Sequence, residues 1–119
     1  MGLDTTHNCW HGSYSSFATF RKKLAKSIGE DYENLLGLGG NKTPEEVNHP
    51  ITPLLFHSDC EGDLSVEECE SIVKGIDMIL ENLEPQEDDE YGYGFRGRLI
   101  QFKIGCEEAI DLGEEVEFH

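Results

Sequence analysis

The sequence predicts an α+β protein of one compact domain, with three main helices packed on a small sheet of two or three strands. Its 119 residues match the usual size of one domain, which buries roughly two-thirds of the surface that the unfolded chain exposes. Apolar residues recur at helical spacing in three segments: 12–29, 65–83 and 91 or 95 to 112. Strand-like patterns occupy three shorter ones: 3–9, 54–57 and 116–119.

The N-terminal segment 3–9 is rich in threonine, which favours an extended strand. After Gly12 the apolar residues change to helical spacing, and Ser13 or Ser15 can cap the first turn of that helix. Gly29 is a suitable end for it. The opposite face is predicted to carry almost half of the basic residues: Arg21, Lys22, Lys23 and Lys26.

The middle of the chain is irregular. One or two helical turns are predicted over 31–38, and a brief turn over 43–46 with Pro44 at its first helical position. The apolar run 54–56 then predicts a short buried strand that delivers His57 at its end.

Two long helices follow in the C-terminal half. Ser65 and Glu68 have the spacing of a capping box, which starts a helix that runs to about Leu83. An acidic, Gly- and Tyr-containing loop over 84–94 separates it from the last helix, which ends at Gly113. Inside that last helix stand two glycines, Gly97 and Gly105, each costing about 1 kcal/mol relative to alanine.

The charge of −16 excludes some partners. A nucleic-acid backbone and an anionic membrane surface both require clustered lysine and arginine. The charge is uneven, because residues 1–58 hold six acidic and five basic residues, net −1, whereas residues 59–119 hold 19 and four, net −15. Neither a membrane-spanning run nor a secretory signal is found, so we expect a cytoplasmic protein whose four cysteines are thiols.

Alternating residues His7, Cys9 and His11 form the first candidate site. On a strand they would project from one face, although the outer two would lie roughly 13 Å apart at 3.3 Å per residue. A zinc site is one interpretation, and a core thiol with two hydrogen-bonded histidines is the other. The candidate zinc ligands are three residues of this segment and four from elsewhere: His7, Cys9, His11, His57, Asp59, Cys60 and His119.

The start of the first helix is the second candidate site. Free N–H groups, the helix dipole, Gly12 and the hydroxyls of Ser13 and Ser15 could together hold a phosphate or carboxylate. The alternative is that the serines only cap the helix.

Two further clusters of polar residues indicate a binding site less specifically. Residues 59–70 imitate a calcium loop, but Leu64 stands where the loop requires glycine, so an EF-hand is not expected. Arg96 and Arg98, near aromatic residues, suit either a phosphate and a flat ring or ion pairs with the acidic loop. Neither a hydrolase nor a phosphate-loop motif is found, so no catalytic residue is assigned.

Three segments resemble an uncharacterised family of small proteins from bacteriophages and bacteria: GLDTTHNCWHGSYSSF (2–17), LLFHSDCEG (54–62) and VEFH (116–119). This chain has Glu61 where the family tends to have aspartate. The resemblance implies a phage or bacterial origin, and a phage protein would act in the cytoplasm of the host. It does not indicate which activity the protein has. Because its motifs coincide with the candidate sites, it favours one shared site.

We therefore predict a non-enzymatic binding protein that holds a small polar, nucleotide-like ligand and that could sequester a host defence signal. The predicted ligand-binding residues are polar side chains from four segments: His7, His11, Ser13, Ser15, Arg21, His57, Ser58, Asp59, Arg96 and Arg98. The alternatives are a zinc domain, structural or hydrolytic, and an acidic module that binds a basic host protein as a mimic of nucleic acid.

Overall fold

The computed structural model describes residues 2–35, 39–58, 61–82 and 95–119, and it begins with a β-hairpin. Strand β1 (Gly2–Asp4) pairs antiparallel with β2 (His11–Ser13). Between them Thr6–Asn8 forms a 3₁₀ turn in which two residues adopt left-handed backbone, with φ of 60° at His7 and 58° at Asn8. The prediction of one strand over 3–9 is therefore wrong beyond Asp4.

Helix α1 (Tyr14–Ser27) follows the hairpin directly, as predicted. Ser13 is its N-cap, and the backbone N–H of Ser16 donates to the Ser13 hydroxyl at 3.1 Å. The helix ends before Gly29, which has a φ of 78° that suits glycine. Arg21, predicted on the exposed basic face, is buried instead, because it lies on the same face as Phe17 and Leu24.

The middle segment contains short helical turns and no strand at 54–57. A 3₁₀ turn covers Tyr32–Asn34, and helix α2 (Pro44–Val47) starts with the capping box of Thr43 and Glu46. Helix α3 (Thr52–Leu55) stands where a buried strand was predicted. An apolar run this short fits either structure, and Pro53 in its first turn favours the helix.

Two long helices form the C-terminal half, as predicted. Helix α4 (Val66–Asn82) begins at the Ser65 and Glu68 capping box, whose two bonds measure 2.9 and 3.1 Å. Helix α5 (Phe95–Leu112) packs along α4, and Gly113 ends it with a φ of 67°. The loop predicted over 84–94 lies outside the described residues.

The C-terminal segment joins two small sheets. Strand β3 (Asp63–Leu64) pairs antiparallel with β4 (Val116–Glu117), and the segment continues through a bridge between Phe118 and Thr5. The α+β prediction is confirmed. The N- and C-terminal segments pair as expected. The strand beside the C-terminal segment is formed by residues 63–64 and not by the predicted 54–57.

An aromatic cluster occupies the core between the hairpin, α1 and α5. Its rings lie 5.1–6.4 Å apart between centroids, which is the separation that favours edge-to-face and offset packing. The contributing residues are Trp10, Phe17, Phe20, Phe95 and Phe118. Among the described helices, none is long and apolar enough to cross a lipid bilayer.

Candidate functional site

The N-terminal end of α1 presents three serine hydroxyls together. The Ser13 Oγ atom lies 3.1 Å from that of Ser15 and 2.7 Å from that of Ser16. It also accepts the Ser16 backbone N–H, so it satisfies one of the free donors of the first turn. Ser13 and Ser15 remain exposed, which leaves their hydroxyls accessible beside the positive end of the helix dipole.

A tryptophan and an arginine lie against β2, the strand that leads into this helix. Trp10 is 1% exposed, and the guanidinium carbon of Arg98 lies 4.2 Å above its ring. Arg98 Nη1 donates to the backbone carbonyl of His11 at 3.1 Å. The buried indole Nε1–H of Trp10 has no hydrogen-bond acceptor among the described residues.

Gly12 leaves the gap between these two donors unfilled by any side chain. A β-carbon at this position would lie 3.4 Å from the Trp10 Nε1 atom and 3.6 Å from Arg98 Nη2. Both are ordinary contact distances, so the indole N–H and the guanidinium flank one side of the Gly12 backbone. Gly12 directly precedes the Ser13 N-cap, so these donors are neighbours of the helix end along the chain. We call the helix end, Gly12, Trp10 and Arg98 together the α1 donor cluster.

His7 and His11 do not share a face, because the left-handed turn separates them. The His7 imidazole, 9% exposed, lies between the Thr6 hydroxyl at 2.9 Å and the Glu114 carboxylate at 2.8 Å. His11 is exposed and its Nδ1 is bonded to the Asp4 carboxylate across the hairpin. His7 thus has both ring nitrogens engaged, whereas His11 is accessible.

Cys9 points into the core rather than toward the histidines. It is fully buried, as are Cys69 of α4 and Cys106 of α5. Contact with the other two thiols, together with burial, raises the pKa of Cys106 far above its ordinary value. The core-thiol interpretation of Cys9 is the one that the structure supports.

His57 is held by the backbone around it. Its Nδ1 lies 2.9 Å from the Ser58 carbonyl oxygen and its Nε2 lies 3.0 Å from the Asp63 carbonyl oxygen. The ring also packs on Phe118, with 4.0 Å between centroids. Because carbonyl oxygens only accept hydrogen bonds, the ring would have to turn before either nitrogen could bind a metal.

The remaining predicted site residues are dispersed. The Arg21 guanidinium donates to the carbonyl oxygens of Leu55 and His57 inside the protein, so it does not reach the surface. Ser58 is exposed and Arg96 is partly buried on α5. The predictions for Asp59 and Cys60 fall outside the described residues.

His119 lies beside the hairpin, on the other side of β1 from His11. Its backbone exchanges two hydrogen bonds with Asp4, of 2.9 and 2.8 Å. Within the described ranges, no three His, Cys, Asp or Glu side chains converge as they would around a bound metal ion. The structure therefore brings His11 and His119 near one another through Asp4, and it does not assemble the full predicted set of zinc ligands.

Two participants, Asp4 and Trp10, are absent from the predicted site. Asp4 would have been found if the chain 2–13 had been treated as a hairpin, because strand alternation then places it opposite His11. Nothing in the sequence identifies the buried N–H of Trp10, since its environment depends on Arg98, 88 positions later.

Comparison of the chain with protein-family models, with curated proteins and with solved structures finds no significant match. The resemblance to small phage and bacterial proteins therefore stays a prediction.

Proposed function

We propose that this protein binds a small ligand through a phosphate or carboxylate group at the α1 donor cluster. A nucleotide is the ligand class that we favour. The cluster offers an indole N–H, a guanidinium, serine hydroxyls and the first N–H groups of a 14-residue helix. These are the groups that proteins use to bind oxyanions.

The observation that carries the proposal is the buried N–H of Trp10. A buried donor without an acceptor costs about 1–3 kcal/mol, and more than 90% of buried polar groups have a partner. The acceptor is missing beside the Arg98 guanidinium, which favours an anion. An oxyanion that displaces Arg98 slightly from the indole would satisfy both donors.

The electrostatics around the cluster are compatible with an anionic ligand. Residues 1–58 have a net charge of only −1, although the whole chain has −16. The nearest acidic group of the hairpin, Asp4, is paired with His11. An anion at this end of α1 would therefore meet less repulsion than the total charge suggests.

The biological role that we propose is sequestration of a nucleotide-like signal in the cytoplasm. It follows from the resemblance to phage proteins, for which removal of a host defence signal would be useful. The proposal concerns binding alone, and no reaction is proposed.

Tryptophan fluorescence tests the ligand proposal directly, because Trp10 is the single tryptophan of the chain. Inorganic phosphate, nucleoside monophosphates and cyclic dinucleotides would be titrated in the presence of EDTA, with calorimetry as a second measurement. We expect at least one of them to change the emission and to bind in a saturable manner. If none of these probes binds, the proposal is wrong.

Two variants locate the binding. Gly12→Ala adds a methyl group between the two donors at contact distances that the fold accepts, and Arg98→Met removes the guanidinium. Each should weaken binding at least about tenfold, as expected when a charge-assisted hydrogen bond is lost. Arg96→Met, two residues away on the same helix, is the matched control and should bind like the wild type.

A groove between α4 and α5 supports a second candidate function, the binding of a basic protein segment. It has a volume of 530 Å³ and is lined by two apolar residues, Val73 and Ile110, and by three acidic ones: Glu70, Glu107 and Asp111. Such a groove suits an amphipathic segment that carries lysine or arginine. Binding of a basic amphipathic peptide should weaken strongly between 50 and 500 mM salt, about the range over which ionic screening becomes complete, and Glu107→Gln should reduce it.

A further inference from the structure

We propose that the outer face of the joined sheets binds a divalent transition-metal ion between His11, Asp4 and His119. This goes beyond the anion site, from which it differs in ligand and in the residues that bind it. The metal would lie on the solvent side of β1.

The backbone places these three residues in one row across neighbouring strands. Asp4 stands opposite His11 in the antiparallel register of β1 and β2. On the other side of β1, Asp4 and His119 exchange both N–H···O bonds, at 2.9 and 2.8 Å, which is the pattern of directly opposed antiparallel residues. Opposed residues project from the same face with β-carbons about 5 Å apart.

The row faces solvent. The residues next to it along the strands, Leu3 and Phe118, are buried on the other face of the sheet. The side chains of His11 and Asp4 are 79% and 52% exposed, and His119 is exposed as well. The two imidazoles therefore lie at the surface, one on each side of Asp4, and both could reach an ion bound above its carboxylate.

In the structure, His11 Nδ1 is bonded to the Asp4 carboxylate instead of turned toward His119. This pairing is exposed, and hydrogen-bonded pairs at the surface contribute little to stability. Exposed side chains change rotamer within nanoseconds. The proposed site forms when both imidazoles rotate about χ1 and χ2 toward the Asp4 carboxylate while the backbone register stays as it is.

The donor set indicates the kind of metal. Two imidazole nitrogens and one carboxylate oxygen, with positions left for water, form the ligand set of catalytic zinc and of non-haem Fe(II) sites. Two more carboxylates on the same face, Glu117 and Asp63, are opposite each other in β4 and β3. Their charge favours a cation over this part of the sheet.

Calorimetric titration of Zn²⁺ into the full chain, prepared without a polyhistidine tag and in phosphate-free buffer, tests the proposal. We expect one zinc ion per chain. His11→Ala, His119→Ala and Asp4→Asn should each weaken binding at least about tenfold, since even partners that only orient a ligand are worth 10–100-fold in metal affinity. Co²⁺ should give the visible absorption of a tetrahedral or five-coordinate site in the wild type, and these three variants should lose it.

His49→Asn is the matched control, because it removes an imidazole elsewhere on the surface. The proposal is overturned if the wild type binds no zinc, or if His11→Ala and His119→Ala bind zinc as tightly as the control. Loss of zinc binding only on replacement of His57 or Cys60 would also overturn it. Far-UV circular dichroism confirms that each variant is folded, so that a lost site and a lost fold are distinguished.

Discussion

Cys9 packs directly against Gly105 at the middle of α5. A β-carbon at position 105 would lie 2.4 Å from the Cys9 sulfur and 2.8 Å from the His7 carbonyl oxygen. The glycine therefore lets the turn between β1 and β2 approach the helix more closely than any other residue would. The turn that contains the left-handed residues His7 and Asn8 therefore packs against the middle of α5.

Gly105→Ala should destabilise the protein although alanine is the better helix former. The gain in helix propensity is about 1 kcal/mol, whereas an overpacked core costs about 1–3 kcal/mol and here the neighbours include backbone. We expect a net loss of about 1–2 kcal/mol in urea unfolding. Adding Cys9→Ala removes the sulfur and should recover part of the loss, and strict additivity of the two substitutions would contradict the contact.

Arg21→Met should cost about 2–3 kcal/mol. Methionine keeps an unbranched apolar stem, but the carbonyl oxygens of Leu55 and His57 lose their donor inside the protein. The contact of the guanidinium with Phe17, at 4.7 Å, is lost as well. Lys22→Met, on the exposed side of the same helix, should change stability by less than about 0.5 kcal/mol. Equal effects of the two substitutions in urea unfolding would show that Arg21 is not structural.

Three of the four thiols should be unreactive in the folded state: Cys9, Cys69 and Cys106. Titration with a thiol reagent should label them only after urea is added. Neighbouring thiols and burial raise the pKa of Cys106. At alkaline pH the Cys106 thiol therefore stays protonated in the folded state, whereas it loses its proton in the unfolded state. The contribution of this pKa difference to the free energy of unfolding is fully present below about pH 8.5, the ordinary thiol pKa, and decreases as the pH rises further. In Cys106→Ala this alkaline decline should shrink.

His49 should make the protein less stable in mild acid. Burial lowers the pKa of His49, and its Nδ1 accepts the backbone N–H of Ile51 at 3.1 Å, which requires an unprotonated nitrogen. The folded state thus binds this proton less readily than the unfolded state, and stability is lost as the pH falls below about 6.5. Since the ring is partly exposed, we expect less than about 1 kcal/mol between pH 7.5 and 5.5.

His49→Asn provides the comparison for that measurement. An asparagine oxygen can accept the same N–H from two residues along the chain but does not titrate. The variant should therefore lose less stability than the wild type over the same pH interval. Identical pH profiles for the two proteins would exclude His49 as the source.

Local signals predicted the helices well. The Ser65 and Glu68 pair and the helix that follows it depend on residues three or four positions apart, so the sequence contains the information directly. The run 54–56 predicts a strand, although three apolar residues fit either period. The structure forms a helix there, with Pro53 in its first turn and Leu54 and Leu55 buried in the core.

The candidate site was harder to predict, because its geometry depends on distant parts of the chain. His7, Cys9 and His11 would project from one face only if the backbone between them were extended. The left-handed turn interrupts the extended backbone, so their side chains point in different directions. The amphipathic pattern of α1 predicts Arg21 on the exposed basic face, whereas its acceptors, the carbonyl oxygens of Leu55 and His57, are more than 30 positions away. His119 and the N-terminal segment were predicted to meet, yet Asp4 as their point of contact was not.

The pairing of Asp4 with His119 also determines when the protein can finish folding on the ribosome. The α1 helix and its cap can form as soon as residues 13–29 emerge, since they need only neighbours. The β1 strand cannot acquire its second partner until residues 116–119 have been synthesised and released from the exit tunnel. Until then Phe118 cannot pack against the aromatic cluster. The nascent chain therefore exposes apolar surface of the kind that chaperones bind.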